Sequence, residues 1–126
     1  MNNRITKKER NLIKGAMRRV FSRSELRRKV VDASLIEHSD PKRTRVKRWC
    51  LCNSCKKPIP KSYVAVDHIQ PLIAVHETFE DVSLDIVVDR LWCEEHNLQV
   101  LCEECHKAKT SLENKSRRLY KKEKKL

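Results

Sequence analysis

Between Ile5 and Phe21 the apolar residues Leu12, Ile13, Ala16, Met17, Val20 and Phe21 fall at i, i+1, i+4, i+5, i+8 and i+9, with Lys7, Lys8, Arg10, Lys14, Arg18 and Arg19 between or opposite them. The pattern predicts a basic amphipathic helix. Ser22 and Glu25 stand at the spacing of a capping box, so a second short helix is expected, with Leu26, Val30 and Ala33 on one side. A helical hairpin arm results. Residues 39–48, SDPKRTRVKR, place a proline after an aspartate within a basic run and read as an extended linker able to follow a phosphate backbone.

Further along, Trp49 to Cys55 and Tyr63 to Ile69 look like short strands joined through KKPIPKS, whose prolines suit a turn; a β-hairpin is predicted. Ser83 before LDIVVDRLW, with Leu84, Val87, Val88 and Leu91 at helical spacing, predicts a short capped helix. From Glu103 to Lys122 strong helix formers dominate, with Ala108, Leu112 and Leu119 as the expected inner stripe. The order is β-β-insert-α, an α+β class. The chain divides into a basic helical arm (1–36), a basic linker (37–48), a core (49–112) and a basic C-terminal helix or tail (113–126). No internal repeat is visible.

Composition adds a constraint. A chain of 126 residues with 5% aromatic content buries too little apolar surface to be comfortable without a staple. The N-terminus MNNRITKKER has charge where a secretory signal needs an apolar core, and no apolar run is long enough to span a membrane. A cytoplasmic protein without a membrane partner is expected, and in that reducing compartment the closely paired cysteines among the six read as metal ligands. The net charge of +12 is unevenly spread: residues 1–48 carry 16 Lys/Arg against 5 Asp/Glu, residues 49–106 carry 4 against 10, and residues 107–126 carry 9 against 2. Basic ends around an acidic middle fit a protein whose ends hold phosphates and whose middle gathers cations.

Cys52-Asn-Ser-Cys55 and Cys102-Glu-Glu-Cys105 are two pairs of a spacing that lets both sulfurs reach one tetrahedral ion, which predicts a structural Zn²⁺. The 46 residues between the pairs make a long closure, where a cross-link constrains most. Cys50 and Cys93 lie outside the pattern and read as core thiols. On a helix starting near Cys102, Cys105 and His106 are about 100° apart around the axis, so His106 is poorly placed to join an ion already holding four sulfurs. The second cluster is Asp67-His68 at the end of an apolar strand, just before Gln70-Pro71.

Asp67-His68-Ile69, then Asn97-Leu98-Gln99, then Leu101-Cys102-x-x-Cys105-His106-x-x-Lys109-Thr110, with Cys52-x-x-Cys55 upstream, resembles the HNH endonuclease family, especially small phage-type members with a four-cysteine zinc. The resemblance covers residues 49–112 and implies a ββα-metal (HNH) core that hydrolyses DNA phosphodiesters, by nicking or double-strand cutting. It implies that His68 is the general base, that Asn97 orients it, and that Asp67 and His106 hold a catalytic divalent cation, Mg²⁺ or Mn²⁺. Those residue types suit the chemistry, because an imidazole titrates near neutrality and a hard cation with open positions binds phosphate oxygens. Many relatives carry a Gly-rich turn after the first histidine; residues 70–96 here contain none.

Charge and position nominate Arg18, Arg19, Arg45, Arg48, Lys107 and Lys109 as phosphate contacts. His38, His76 and His96 lack such neighbours in sequence and read as surface residues. The rival reading is a non-catalytic zinc-stabilised nucleic-acid-binding module, or an adaptor in a phage packaging or replication complex working in the host cytoplasm. A monomer is expected.

Overall fold

Residues 4–78 and 80–125 are described in a computed structural model. Helix α1 (Lys7–Phe21) begins at Thr6, whose hydroxyl accepts the Glu9 amide at 3.1 Å while the Glu9 carboxylate accepts the Thr6 amide at 3.0 Å. This reciprocal box satisfies two amides that the first turn leaves without partners. Helix α2 (Glu25–Ala33) starts at Ser24 and not at the expected Ser22. The reason is that α1 persists to Phe21 and Ser22 closes it, donating its hydroxyl to the Arg19 carbonyl. Ser24 then accepts the Arg27 amide at 3.1 Å.

Of the two adjacent apolar lines on α1, Met17 and Phe21 turn inward, whereas Leu12 and Val20 are 63% and 61% exposed. The expected stripe was too wide for one buried face. Gly15 lies mid-helix, and a Cβ built there would first meet Arg19 Nη1 at 3.7 Å, an ordinary contact. Gly15→Ala should therefore stabilise the protein by about 1 kcal/mol, seen as a rise of about 3–5 °C in Tm. A fall in Tm would show that α1 needs the glycine.

Strands β1 (Leu35–Ile36), β2 (Trp49–Leu51) and β3 (Pro58–Pro60) form one antiparallel sheet in that order, with Cys50 opposite Ile59. The partner of β2 is thus Pro-Ile-Pro and not the predicted segment 63–69. Prolines cannot donate to a ladder, but β3 is an edge, where that costs nothing, and Ile59 between them is buried. Strand β4 (Ala65–His68) pairs instead with β5 (Leu98–Leu101), antiparallel, with Asp67 opposite Gln99 and His68 opposite Leu98. Helix α3 (Leu84–Leu91), capped by Ser83 as expected, lies between these two strands in sequence, so the insert interrupts the β4–β5 pair instead of following it.

Two apolar clusters hold the chain together. Phe21 joins Ile73, Val82, Val87, Leu91 and Leu98; Val31 joins Cys50, Cys52, Ile59, Val100 and Leu101. Phe21 of α1 and Val31 of α2 are buried in these clusters, Met17, Leu26 and Val30 pack against them, and β5 contributes to both. The loop before α3 is pinned by Arg90, which forms two bonds to the Glu77 carboxylate (2.7 and 3.0 Å) and one to the Leu72 carbonyl (3.0 Å).

The Arg90 guanidinium and the Ala74 amide lower the Glu77 carboxyl from its ordinary 4.5 to about 2. A depressed carboxyl contributes stability that is present in full above its unfolded value and is lost as pH falls through its folded one. The stability difference between wild type and Glu77→Gln should therefore be largest above pH 4.5 and close as pH falls toward 2. A difference independent of pH would remove this pair from the account.

Helix α4 (Glu103–Lys124) contains no buried residue, and Leu112 and Leu119, expected on its inner stripe, are 67% and 52% exposed. A polar line takes their place: Lys109, Glu113 and Arg117 recur at i, i+4 and i+8 and face the body of the protein. Lys109 reaches the His68 carbonyl at 3.1 Å, and Arg117 donates to the Ile73 carbonyl at 2.7 Å. Among the described residues no helix is long and apolar enough to cross a membrane.

Candidate functional site

Cys52 follows β2, Cys55 lies in the turn to β3, Cys102 follows β5 and caps α4, and Cys105 sits in the first turn of α4. Their four Sγ atoms lie within 4.8 Å of one another. Sulfurs held ~2.3 Å from one tetrahedral ion sit about 3.8 Å apart, and Cys55 and Cys102 are separated by 3.8 Å. The Cys102 amide points at Cys52 Sγ (3.3 Å) and the Cys105 amide at Cys102 Sγ (3.4 Å), as suits thiolates.

Burial opposes ionisation of Cys52, but the amides of Cys102, Cys55 and Ser54 outweigh it and bring the thiol down to about 6. Cys105 is pushed up to about 12 by its hydrogen bond to Cys102, by burial and by its other sulfur neighbours. Cys52 is thus disposed to ionise and Cys105 to keep its proton. Four convergent thiols of this kind can hold a structural metal ion such as zinc. Cys50, Cys93 and His106 lie outside the cluster; Cys50 Sγ is buried against the Val31 carbonyl at 3.8 Å.

His106 instead lines a cleft of about 680 Å³ together with Asp67 and His68. Residues that are 39 positions apart in sequence are brought together because α4 packs across the end of β4. His68 is the last residue of β4, and where the ladder ends both it and Asp67 can face one cleft, although mid-strand neighbours point apart. Arg18 and Phe21 from α1, Arg27 from α2, and Thr110, Glu113 and Arg117 from α4 complete the walls.

His68 Nε2 lies 3.0 Å from the Leu91 carbonyl. A carbonyl only accepts, so Nε2 carries the hydrogen, and in the neutral ring Nδ1 is the nitrogen left to take a proton. The Phe21 ring packs against the imidazole at 5.2 Å between centroids. Asn97 does not line the cleft. Its backbone carbonyl accepts the Ile69 amide at 2.8 Å and its side-chain oxygen accepts the Gln70 amide at 2.9 Å. The two bonds fix the chain immediately after His68.

Asp67 is 9% exposed, and its Oδ2 accepts from Gln99 Nε2 at 3.0 Å and from Lys109 Nζ at 3.1 Å. Gln99 in turn accepts from Asn53 Nδ2 at 2.8 Å, so a polar relay joins the Cys52–Cys55 turn to the cleft carboxylate. Lys109 also pairs with Glu113. Burial works against its ammonium, but Glu113 and Asp67 outweigh this and push Lys109 upward, keeping it charged.

The six nominated phosphate contacts do not form one patch. Arg18 lines the cleft, Lys109 is engaged in ion pairs with Asp67 and Glu113, and Arg19 lines a different groove. Lys107 pairs on the surface with Glu103 at 2.8 Å, and Arg45 and Arg48 are exposed on the linker. Gln99, Glu113, Arg27 and Arg117 were not anticipated. Gln99 stands beside Asp67 only through the β4–β5 register, a pairing that the expected hairpin of 49–55 with 63–69 had assigned elsewhere. Comparison of the chain with models of protein families, with curated proteins and with solved structures found no match.

Proposed function

We propose that the chain is a metal-dependent DNA endonuclease of the HNH kind, with a ββα-metal core made of β4, β5 and α4 and a structural zinc at the four cysteines. The observation that carries the reading is the convergence of Asp67, His68 and His106 on one cleft, with His68 held through Nε2 by the Leu91 carbonyl. Asp67 and His106 would hold the catalytic divalent cation: a carboxylate oxygen and an imidazole nitrogen are donors suited to Mg²⁺ or Mn²⁺. When bound, that cation supplies positive charge to the phosphate and the departing oxygen.

The chain's own residues do the rest. His68 Nδ1 takes the proton from the attacking water as its oxygen bonds to phosphorus and the opposite P–O bond breaks. The imidazolium that forms keeps its Nε2–H bond to Leu91, so the ring does not reorient during proton transfer. Asn97 sets the position of His68 by closing the backbone behind it. Arg18 and Arg27, which line the same cleft, would neutralise phosphates near the scissile one.

Asp67→Ala or His106→Ala should abolish cleavage supported by Mn²⁺ while leaving the metal at the cysteines in place, as elemental analysis would record. Full cleavage by either variant would dismiss these ligands. A second reading, a zinc-stabilised module that binds DNA without cutting it, draws support from the Lys109–Asp67 ion pair, in which an ammonium already balances the carboxylate. Cleavage by the wild type separates the two.

A further inference from the structure

Apart from the cleft, α1, the turn after it, the first turns of α2 and Trp92 line a groove of about 870 Å³. Its lining includes Ala16 and Val20, the cations Arg19, Arg23 and Lys29, and the indole of Trp92, which is 39% exposed. All three cations are exposed, and among the described residues none is in an ion pair and Glu25 is the one acid lining the groove. Phe21 braces the indole edge-on at 5.4 Å between centroids.

We propose that this groove binds an unpaired nucleotide of a single-stranded segment, with its base against Trp92 and the flanking phosphates against Arg19, Arg23 and Lys29. The inference rests on the nucleic-acid part of the reading above and not on cleavage. An aromatic face ringed by cations is the combination that single strands use, because every base can stack and every step carries a phosphate. Position favours a nucleic acid over an acidic peptide. Phe21 touches both rings, its centroid 5.2 Å from that of His68 and 5.4 Å from that of Trp92, so a strand engaging one ring lies close to the other. Trp92 also directly follows Leu91, whose carbonyl holds His68. A base seated on Trp92 would therefore set the register of the strand relative to His68, and the preferred substrate would have an unpaired stretch beside the scissile phosphate.

The test is a fluorescence and anisotropy titration of the metal-loaded wild-type protein, without added Mg²⁺ or Mn²⁺, using a 12-mer oligothymidylate and a 12-base-pair duplex. Trp49 is 4% exposed, so a change in indole emission reports Trp92. The oligothymidylate should quench the emission, and Trp92→Ala should weaken its binding about 5- to 150-fold, the range for removing a base-stacking aromatic, with the duplex affinity changed less than twofold. Because Trp92 also packs on Phe21, Arg23→Glu/Lys29→Glu serves as a second variant that disturbs no core contact and should weaken the same binding. Unchanged oligothymidylate binding in both variants would overturn the proposal, as would quenching by polyglutamate and not by oligothymidylate. A wild type that binds the single strand at Trp92 yet cuts nothing removes the nuclease reading alone; one that cuts but does not bind the single strand removes the groove alone.

Discussion

Loss of metal from the four cysteines is expected to unfold the protein. In small zinc modules the ion contributes about 10–16 kcal/mol at neutral pH, as much as the whole stability of a domain, about 5–15 kcal/mol. Cys52 and Cys102 pack within or against the apolar cluster that holds Val31, Val100 and Leu101, so the proposed zinc joins the first sheet to the start of α4 through the core. Without a cation, the thiols must stay protonated or repel one another at 4.8 Å or less. Cys102→Ser removes a thiolate ligand while its hydroxyl can still accept the Cys105 amide as a helix cap, so its effect reports the loss of the ion. Chelation, or that substitution, should collapse the far-UV circular dichroism transition to one without a cooperative melt. An unchanged melting temperature in metal-free protein would show that the apolar clusters suffice alone.

His68→Ala is expected to lower the single-turnover cleavage rate by about 10²- to 10⁴-fold, the usual contribution of a positioned general base. The variant loses the bond to the Leu91 carbonyl and a contact with Phe21, and a cost of about 1–2 kcal/mol follows. The core survives that loss, so zinc content and duplex affinity should stay within twofold of wild type. A variant that fails to bind DNA would indicate that the histidine positions the strand and does not activate water.

Much of this architecture could be read from spacing. The helical stretches at α1, α3 and α4 announce themselves by period and by Ser83, and the two Cys-x-x-Cys pairs announce their convergence. Strand pairing did not, because a short strand carries no label for its partner: Pro58 and Pro60 look like a turn until β3 proves to be an edge. The orientation of α4 was also hidden. Leu112 and Leu119 suggested an inner face, but the helix is anchored by Lys109 and Arg117 through partners on β4 and the following loop that only the tertiary structure supplies, with Glu113 pairing with both along the helix. For the same reason Lys109 read as a phosphate contact, although its ammonium is engaged with Asp67 and Glu113. Phe21 read as an ordinary apolar helix residue and proves to pack against both His68 and Trp92.

The most direct measurement of the central claim is plasmid cleavage by purified wild type and His68→Ala in parallel, with Mg²⁺, Mn²⁺ or EDTA. The account predicts conversion of supercoiled DNA to open-circular or linear product by the wild type with a divalent cation, none in EDTA, and almost none by the variant. Equal cleavage by both proteins, or no cleavage with either ion while both still bind the plasmid, would contradict it.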